Sequence, residues 1–239
     1  KECDLQSLSE SRAYFSKVNA STIIHCAAFV PKSVDEYKSK ELSKSNSLLL
    51  ENLINATTCP IVYISSMTVY GSSNNFVRTE DELPNPESEY GISKYQGEQY
   101  LKSSGRDSLV IRLPGLFGEK RSNGLIYNNL MQMAQSVQLS LPSAPVLWSA
   151  MDVEDAASCI SKLLNNYIYN GFDIINIGYD ETLSINKLVD IYALIEGTEI
   201  DYSITHPSFR FNLNKLKRLN AVSTSSLITA IKNIRSKLC

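Results

Sequence analysis

The sequence predicts an α/β protein built on a doubly wound parallel sheet. Short apolar segments rich in β-branched residues recur along the chain, and segments of helix length separate them. Each apolar segment is hydrophobic on both faces, which is typical of parallel strands that helices cover on either side. Regular alternation of strands and helices then favours a parallel sheet with right-handed crossovers.

The individual elements follow from local pattern. Apolar β-branched segments predict four strands, at 22–27, 61–65, 109–113 and 172–177. Apolar periodicity predicts helices at 48–56, 87–104 and 125–137, and one that begins at Asp152 or Asp155. Asn85 and Pro86 are a cap residue and a first-turn proline ahead of the second helix. Gly105 is expected to end that helix in a left-handed conformation.

Length and composition exclude several classes of protein. A chain of 239 residues that is 43% hydrophobic and 20% charged can bury a core and is not disordered. A net charge of −2 does not support general nucleic-acid binding, and no apolar run approaches the ~20 residues of a membrane span. The five cysteines are dispersed and there are only two histidines, so a zinc site is unfavourable. Dispersed cysteines of this kind are typical of reduced thiols. We expect a cytoplasmic protein without a metal, nucleic-acid or membrane partner.

The C-terminal segment is the one strongly charged part of the sequence. Residues 207–239 contain seven Lys or Arg and neither Asp nor Glu. Such a segment can be a solvated helix face, can contact a substrate diphosphate, or can bind nucleic acid. The solvated face is the favoured interpretation, and nucleic acid is the least favoured because no aromatic residues are interleaved for base stacking.

The segment Tyr90-Gly-Ile-Ser-Lys94 carries the candidate chemistry. Tyr90 and Lys94 are four residues apart in a predicted helix, so both project from one face. A phenol is a poor base at its free pKa of ~10, and a nearby ammonium favours the phenolate. Ser65 and Ser66 end the predicted strand at 61–65, at the carboxyl edge where ligands bind, and a serine there can hold a substrate hydroxyl against the phenol. A surface pair of an aromatic ring and a cation has the same spacing, and the residues alone leave that alternative open.

Several motifs together resemble a known family. Ser65-Ser-Met-Thr-Val-Tyr-Gly71, followed by the Tyr90 to Lys94 segment, is similar to the extended short-chain dehydrogenase/reductases, the NAD-dependent nucleotide-sugar epimerases and dehydratases. Further segments match in the family's order: 21–28, Asn46, 112–118, 153–157 and 212–219. The resemblance implies a Rossmann-type sheet with a smaller C-terminal substrate lobe. It places the dinucleotide-binding domain at 1–114 and 150–178, and the substrate lobe at 115–149 and 179–239.

The resemblance also implies roles for individual residues. Tyr90 would be the acid/base on the sugar hydroxyl, Lys94 would hold the nicotinamide ribose and lower the Tyr90 pKa, and Ser66 would be the catalytic serine that contacts substrate. Asn129 is similar to an asparagine that binds the nucleotide diphosphate in the 4-epimerases. The further cofactor-binding residues that it implies are Asp4, Leu5, Cys26, Ala27, Ala28, Asn46 and Pro114.

The family's glycine-rich turn does not occur in the sequence. Family members begin with a strand, a Gly-x-x-Gly-x-x-Gly turn and a helix, which together bind the pyrophosphate. Here the chain opens at Asp4-Leu5, which matches the end of the family's third strand. A sheet without its two central strands exposes apolar edges, so we expect this β-α-β unit to precede the sequence in a longer protein. A truly short polypeptide is the alternative.

Three further departures narrow the chemistry. Met67 and Thr68 replace the Asp-Glu pair with which the dehydratases eliminate water, so dehydration is disfavoured. Trp148 and Gly115 stand where the 4-epimerases have an arginine and an asparagine for their substrate, so the substrate can differ from a plain UDP-hexose.

The resulting expectation is NAD(P)-dependent epimerisation of a nucleotide sugar, at C4, through a transient keto intermediate. The alternatives are a reductase of an NDP-keto-sugar and a non-catalytic dinucleotide-binding member of the fold. NAD is the expected cofactor, and NADP is not excluded because the strand end that reads the ribose is absent. The family also implies a homodimer formed through the helices at 48–56 and 87–104.

Overall fold

The computed structural model describes residues 3–31, 35–72 and 76–237. Within these ranges there are eight α-helices and eight strands, and no helix has both the length and the apolar character needed to span a membrane. In chain order they are α1 (Leu8–Phe15), β1 (Ile23–His25), α2 (Lys40–Ala56), β2 (Ile61–Ser66), β3 (Val77–Arg78), α3 (Glu89–Ser103), β4 (Ser108–Leu113), β5 (Gly115–Phe117), α4 (Leu125–Ala134), β6 (Ala150–Asp152), α5 (Val153–Asn166), β7 (Phe172–Asn176), α6 (Ile185–Glu196), β8 (Arg210–Phe211), α7 (Asn214–Arg218) and α8 (Leu227–Arg235).

The chain folds into two compact units. Of the described residues, 3–31, 35–72, 80–113 and 167–175 form the first unit, and 76–79, 114–166 and 176–237 form the second. The predicted dinucleotide-binding domain, 1–114 and 150–178, stays a prediction; of its described residues, 76–79, 114, 150–166 and 176–178 lie in the second unit. Strand β6 pairs in parallel with β5 and not with the larger sheet.

The first unit is built on a four-stranded sheet in the order β1-β2-β4-β7. The strands β1 and β4 both pair with β2 in parallel, which confirms the predicted parallel α/β architecture. Every residue of β4 is buried, as expected for a strand with helices on both faces. The core between the sheet and its helices contains Leu50, Leu53, Ile61, Tyr63, Leu101 and Val110.

Two helices of the first unit begin at other residues than the sequence predicted. Helix α2 begins at Lys40, where Ser39 Oγ accepts from Leu42 N at 3.3 Å, so Asn46 lies inside the helix and does not open it. This polar first half lacks the leucine periodicity that predicted the second half. Helix α3 is capped by Ser88, whose Oγ accepts from Gly91 N at 3.0 Å, and not by Asn85. Gly105 follows α3 with a φ of +67°, as predicted.

The second unit contains two small parallel sheets, β5-β6 and β3-β8. Asp152 begins α5, because its Oδ1 accepts from the amides of Glu154 at 2.8 Å and Asp155 at 3.3 Å. Helices α4, α6 and α8 each bury one apolar face in this unit. The helix predicted at 125–137 ends earlier, at Ala134.

Candidate functional site

Ser66 ends β2 and caps the turn that follows it. Its Oγ accepts a hydrogen bond from Thr68 N at 3.2 Å and another from the Thr68 hydroxyl at 3.0 Å. The turn, a 3₁₀ helix at Met67–Tyr70, closes at Gly71 with a φ of +62°. A Cβ at Gly71 would lie 1.8 Å from the Asn85 carbonyl oxygen, so only glycine fits there. Ser66 is therefore held at the carboxyl edge of the sheet.

Helix α3 begins against the same turn and brings Tyr90 to this edge. A Cβ at Gly91 would lie 2.7 Å from the Thr68 carbonyl oxygen, so the helix and the turn are in close contact beside Tyr90. The Tyr90 ring packs edge-on against Tyr37, with 5.7 Å between the ring centres. The predicted pair of Ser66 and Tyr90 therefore lies on adjoining segments of one unit.

Lys94 lies one helical turn after Tyr90 and is almost completely buried. Its side chain is 4% exposed, and Nζ lies 5.0 Å from the ring centre of Tyr63 and 5.7 Å from that of Tyr90. Burial lowers the Lys94 pKa to about 8, although Cys26 and Glu98 oppose this shift. Nζ donates to the Ile64 carbonyl oxygen at 3.0 Å, the one hydrogen bond that it makes to the described residues. An ammonium has three N–H donors, so two remain for a ligand.

The segment after β1 presents small residues at the same edge. Cys26 and Ala27 are exposed and Ala28 is half-buried. His25 is buried and stacks on Tyr63 with 5.8 Å between ring centres. Burial, and secondarily the charge of Lys94, lowers the His25 pKa to about 4, so His25 is a neutral core residue. Cys26 lies close enough to Lys94 for each to shift the pKa of the other, and Ala27 and Ala28 follow Cys26 in the chain.

Three predicted cofactor residues have partners within the protein. The Asn46 amide accepts from Phe29 N at 2.7 Å and donates to Phe29 O at 3.1 Å, so it anchors the segment after β1. Asp4 Oδ1 accepts from Gln6 N at 3.0 Å in the turn before α1. Leu5 packs against the core, and its carbonyl oxygen accepts from Asn52 at 2.8 Å. These contacts are structural, and a cofactor contact for these residues stays a prediction.

Pro114 and Asn129 belong to the second unit, and the other nine predicted site residues belong to the first. Pro114 is buried directly after β4. Asn129, on α4, is 0% exposed, and its side-chain amide lies beside the hydroxyl of Tyr192. A side-chain amide has two N–H donors and a carbonyl acceptor, so one contact to Tyr192 does not use all of its hydrogen-bonding capacity.

The structure adds a buried charged group that sequence analysis missed. Arg112 on β4 donates to both carboxylate oxygens of Glu98 on α3, at 3.0 and 2.6 Å, and Ser65 Oγ donates to the same carboxylate at 2.6 Å. The register of β2 and β4 places Ser65 opposite Arg112. A detectable signal existed, because Arg112 interrupts an apolar strand and a buried charge requires a partner. Glu98 lies four residues after Lys94, on the same helix face.

The basic C-terminal segment is largely paired with acidic residues of its own unit. Arg210 and Lys217 both contact Asp180, at 2.7 and 2.6 Å. Arg235 contacts Glu196 at 3.1 Å, and Lys237 contacts Glu119 at 2.6 Å. This pairing favours a solvated, charge-balanced face for the segment.

One cavity of about 340 Å³ lies at the other end of β1. Its lining includes Arg12 and Phe15 of α1, Ile23 at the start of β1 and Thr57 after α2. None of the predicted site residues lines it. The cavity is therefore distinct from the edge that carries Ser66, Tyr90 and Lys94.

The parallel α/β fold, with Ser66, Tyr90 and Lys94 in one unit, is that of the extended short-chain dehydrogenase/reductases. Residues 1–166 match the family model described as the RmlD substrate binding domain, and the chain belongs to that family. This match and the relatives below confirm the predicted relationship to nucleotide-sugar enzymes.

Curated relatives include a sugar-nucleotide reductase, a 4-epimerase and a subunit of a methionine adenosyltransferase. The chain is 26% identical to dTDP-4-dehydro-6-deoxyglucose reductase of Escherichia coli over 200 residues, which covers 77% of this chain and 62% of the reductase. It is 30% identical over 135 residues to N-acetyl-alpha-D-glucosaminyl-diphospho-ditrans,octacis-undecaprenol 4-epimerase of Escherichia coli O157:H7. That match covers 54% of this chain and 40% of the epimerase. It is 35% identical over 100 residues to methionine adenosyltransferase 2 subunit beta of Bos taurus, a match that covers 41% of this chain and 30% of the subunit. The chain thus spans less than two thirds of the length of these relatives.

Solved structures of nucleotide-sugar enzymes share the fold over nearly the whole chain. UDP-glucose 4-epimerase of Thermotoga maritima, determined with UDP-glucose, superposes with a TM-score of 0.81 at 21% identity, covering 100% of this chain and 83% of that one. RMD of Pseudomonas aeruginosa, complexed with NADPH, gives a TM-score of 0.78 at 19% identity, covering 99% and 86%. UDP-glucuronic acid 4-epimerase of Bacillus cereus, in complex with NAD, gives a TM-score of 0.76 at 21% identity, and the match covers 98% of this chain and 79% of the epimerase. These similarities confirm the fold class.

Proposed function

We propose that this protein carries out NAD(P)-dependent oxidation and reduction at a sugar carbon of a nucleotide sugar, and that the reaction is C4 epimerisation through a transient keto-sugar. The observation that carries the proposal is the gathering of Ser66, Tyr90 and Lys94 at the carboxyl edge of one parallel sheet, with Lys94 buried and two of its N–H donors available. The relatives that reduce or epimerise sugars support the same class of reaction.

The residues at this edge fit a nicotinamide dinucleotide. The two available donors of Lys94 suit ribose hydroxyls, and the small residues at Cys26, Ala27 and Ala28 allow a ligand to approach the main chain. Pro114 would contact the nicotinamide, as the family resemblance implies. When bound, the nicotinamide supplies the acceptor and then the donor of a hydride.

Tyr90 accepts and returns the proton of the sugar hydroxyl. The charge of Lys94, whose Nζ lies 5.7 Å from the Tyr90 ring centre, favours the phenolate that accepts the proton of the sugar hydroxyl. Ser66 donates a hydrogen bond to the sugar oxygen and keeps it beside the phenol. After the keto-sugar has turned, Tyr90 returns its proton to the same oxygen, and the epimer forms.

The substrate and assembly assignments belong to the same proposal. The second unit would hold the nucleotide-sugar, with Asn129 bonded to the diphosphate, as the family resemblance implies. The first unit would hold the dinucleotide, and two copies of the protein would associate through α2 and α3.

A second candidate is a reductase of an NDP-keto-sugar. The specific observation in its favour is the match to the dTDP-4-dehydro-6-deoxyglucose reductase, which covers 77% of the chain. A third candidate, a non-catalytic member, is favoured by the 35% identity to a subunit of a methionine adenosyltransferase. An epimerase regenerates its cofactor and a reductase consumes it, so the cofactor balance separates the first two candidates.

The test compares wild-type protein with Tyr90→Phe on a panel of nucleotide sugars and keto-sugars with NAD and NADPH. We expect epimer formation without net cofactor reduction, and a loss of turnover of about 10²-fold or more in Tyr90→Phe with unchanged cofactor affinity. Tyr100→Phe, an exposed position on the same helix, is the matched control and should keep full activity.

Three outcomes would change the assignment. A fully active Tyr90→Phe variant contradicts the proposed acid/base. Stoichiometric NADPH oxidation identifies the reductase. Dinucleotide binding without turnover of any substrate supports the non-catalytic candidate.

A further inference from the structure

We propose that Thr68 is a positioning residue that makes Ser66 a hydrogen-bond donor only, so that the substrate proton passes directly to Tyr90. This inference rests on the proposed function and adds a residue to its site. Thr68 stands where the related dehydratases have an acidic residue.

The geometry around Ser66 carries the inference. Thr68 reaches Ser66 Oγ with two donors, its main-chain N–H at 3.2 Å and its hydroxyl at 3.0 Å. A serine hydroxyl has two lone pairs and one proton. Both lone pairs are therefore occupied by Thr68, and the Ser66 proton is the group left for a ligand.

The surrounding chain holds Thr68 in this arrangement. Its carbonyl oxygen lies against Gly91 of α3, where an added Cβ would approach to 2.7 Å. The turn ends at Gly71, whose conformation and contact with Asn85 require glycine. Thr68 is thus fixed on both sides, by the helix that carries Tyr90 and by the strand that carries Ser66.

The chemical consequence concerns the route of the proton. A Ser66 that only donates stabilises negative charge on the sugar oxygen as the hydroxyl loses its proton. A relay through Ser66 would require its Oγ to accept the substrate proton while passing its own proton to Tyr90. That relay needs a free lone pair on Oγ, so it must first break a bond from Thr68. Direct transfer from the sugar oxygen to Tyr90 needs no such step.

The test uses Thr68→Val, which removes the hydroxyl and keeps the shape, and Thr68→Ser, which restores a hydroxyl. Single-turnover hydride transfer, followed by the nicotinamide absorbance, should slow about tenfold in Thr68→Val, the effect of one lost hydrogen bond. KM should change less than about twofold, because the bond matters when charge develops on the oxygen. Thr68→Ser should recover most of the rate, and Thr58→Val, an exposed threonine after α2, should equal wild type.

Two readouts separate positioning from a structural role. The wild-type rate should fall linearly with the D₂O fraction, as expected for one proton in flight. A crystal structure of the wild-type protein should place Ser66 Oγ within hydrogen-bonding distance of Thr68 Oγ1, whatever the activity. Thermal unfolding of Thr68→Val checks that the variant is folded, and the D₂O measurement needs no variant.

Each outcome has a defined meaning. Wild-type turnover with an equally fast Thr68→Val, or a curved dependence on D₂O, overturns this inference and leaves the proposed function standing. A crystal structure with the two oxygens apart overturns it as well. If wild type neither binds a dinucleotide nor oxidises any nucleotide sugar, the proposed function fails and this inference fails with it.

Discussion

Glu98 and Arg112 form a two-pronged ion pair inside the first unit, with both side chains 1% exposed. The Arg112 guanidinium also lies over the Tyr70 ring, 4.7 Å from its centre. Because Ser65 donates to the same carboxylate, Glu98 connects α3 with β2 and β4. The two elements that carry Tyr90, Lys94 and Ser66 are therefore tied together by one buried carboxylate.

We expect removal of either charge of this pair to destabilise the protein strongly. Glu98→Gln or Arg112→Met leaves the other charge buried without its partner, and the free energy of unfolding should fall by roughly 3–5 kcal/mol. Urea denaturation measures this change. The double variant should be more stable than either single variant, because no unpaired charge remains.

The exposed pair of Glu119 and Lys237 is the control for that measurement. Glu119→Gln should leave the urea midpoint unchanged, because both partners are solvated. Equal effects of Glu98→Gln and Glu119→Gln would contradict the role assigned to burial.

His25 should make the protein acid-sensitive. Its pKa is about 4 in the folded protein and 6.5 in an unfolded chain, so between these values the unfolded state binds the extra proton. This group's contribution to stability is present above pH 6.5 and is lost as the pH falls towards 4, by roughly 3 kcal/mol for a shift of this size. Denaturation of wild type and His25→Gln at several pH values measures it. The stability difference between the two proteins should vary across that window, and a constant difference would refute the prediction.

Gly97 should not tolerate alanine although it lies within a helix. A Cβ there would lie 2.6 Å from the Tyr63 hydroxyl and 2.9 Å from a Leu50 methyl group. An alanine normally stabilises a helix relative to glycine by up to about 1 kcal/mol. Here overpacking should reverse the sign and destabilise the protein by about 1–3 kcal/mol. Thermal unfolding tests this, with the exposed Ser103→Ala on the same helix as control, and a stabilised Gly97→Ala would show that α3 and β2 are less tightly packed.

Local sequence patterns and the family motifs were sufficient to predict the class of fold and to propose Ser66, Tyr90 and Lys94 as the site. Strands and helices follow from apolar periodicity and caps, which are local properties of the chain. Tyr90 and Lys94 share a helix face because of their spacing, and Ser66 comes to the carboxyl edge because its strand ends there. The parallel sheet and the family relationship were predicted from these features and are confirmed.

Which polar groups form hydrogen bonds and ion pairs with one another depends on the tertiary structure. Asn46 matches a family position, yet its amide is bonded to the main chain of Phe29, a contact between residues 17 positions apart. Glu98 meets Arg112 only because the register of β2 and β4 and the packing of α3 bring them together. Likewise, β6 pairs with β5 and not with the larger sheet, and 150–166 lies in the second unit. Such pairings depend on contacts between distant segments, which local periodicity does not encode.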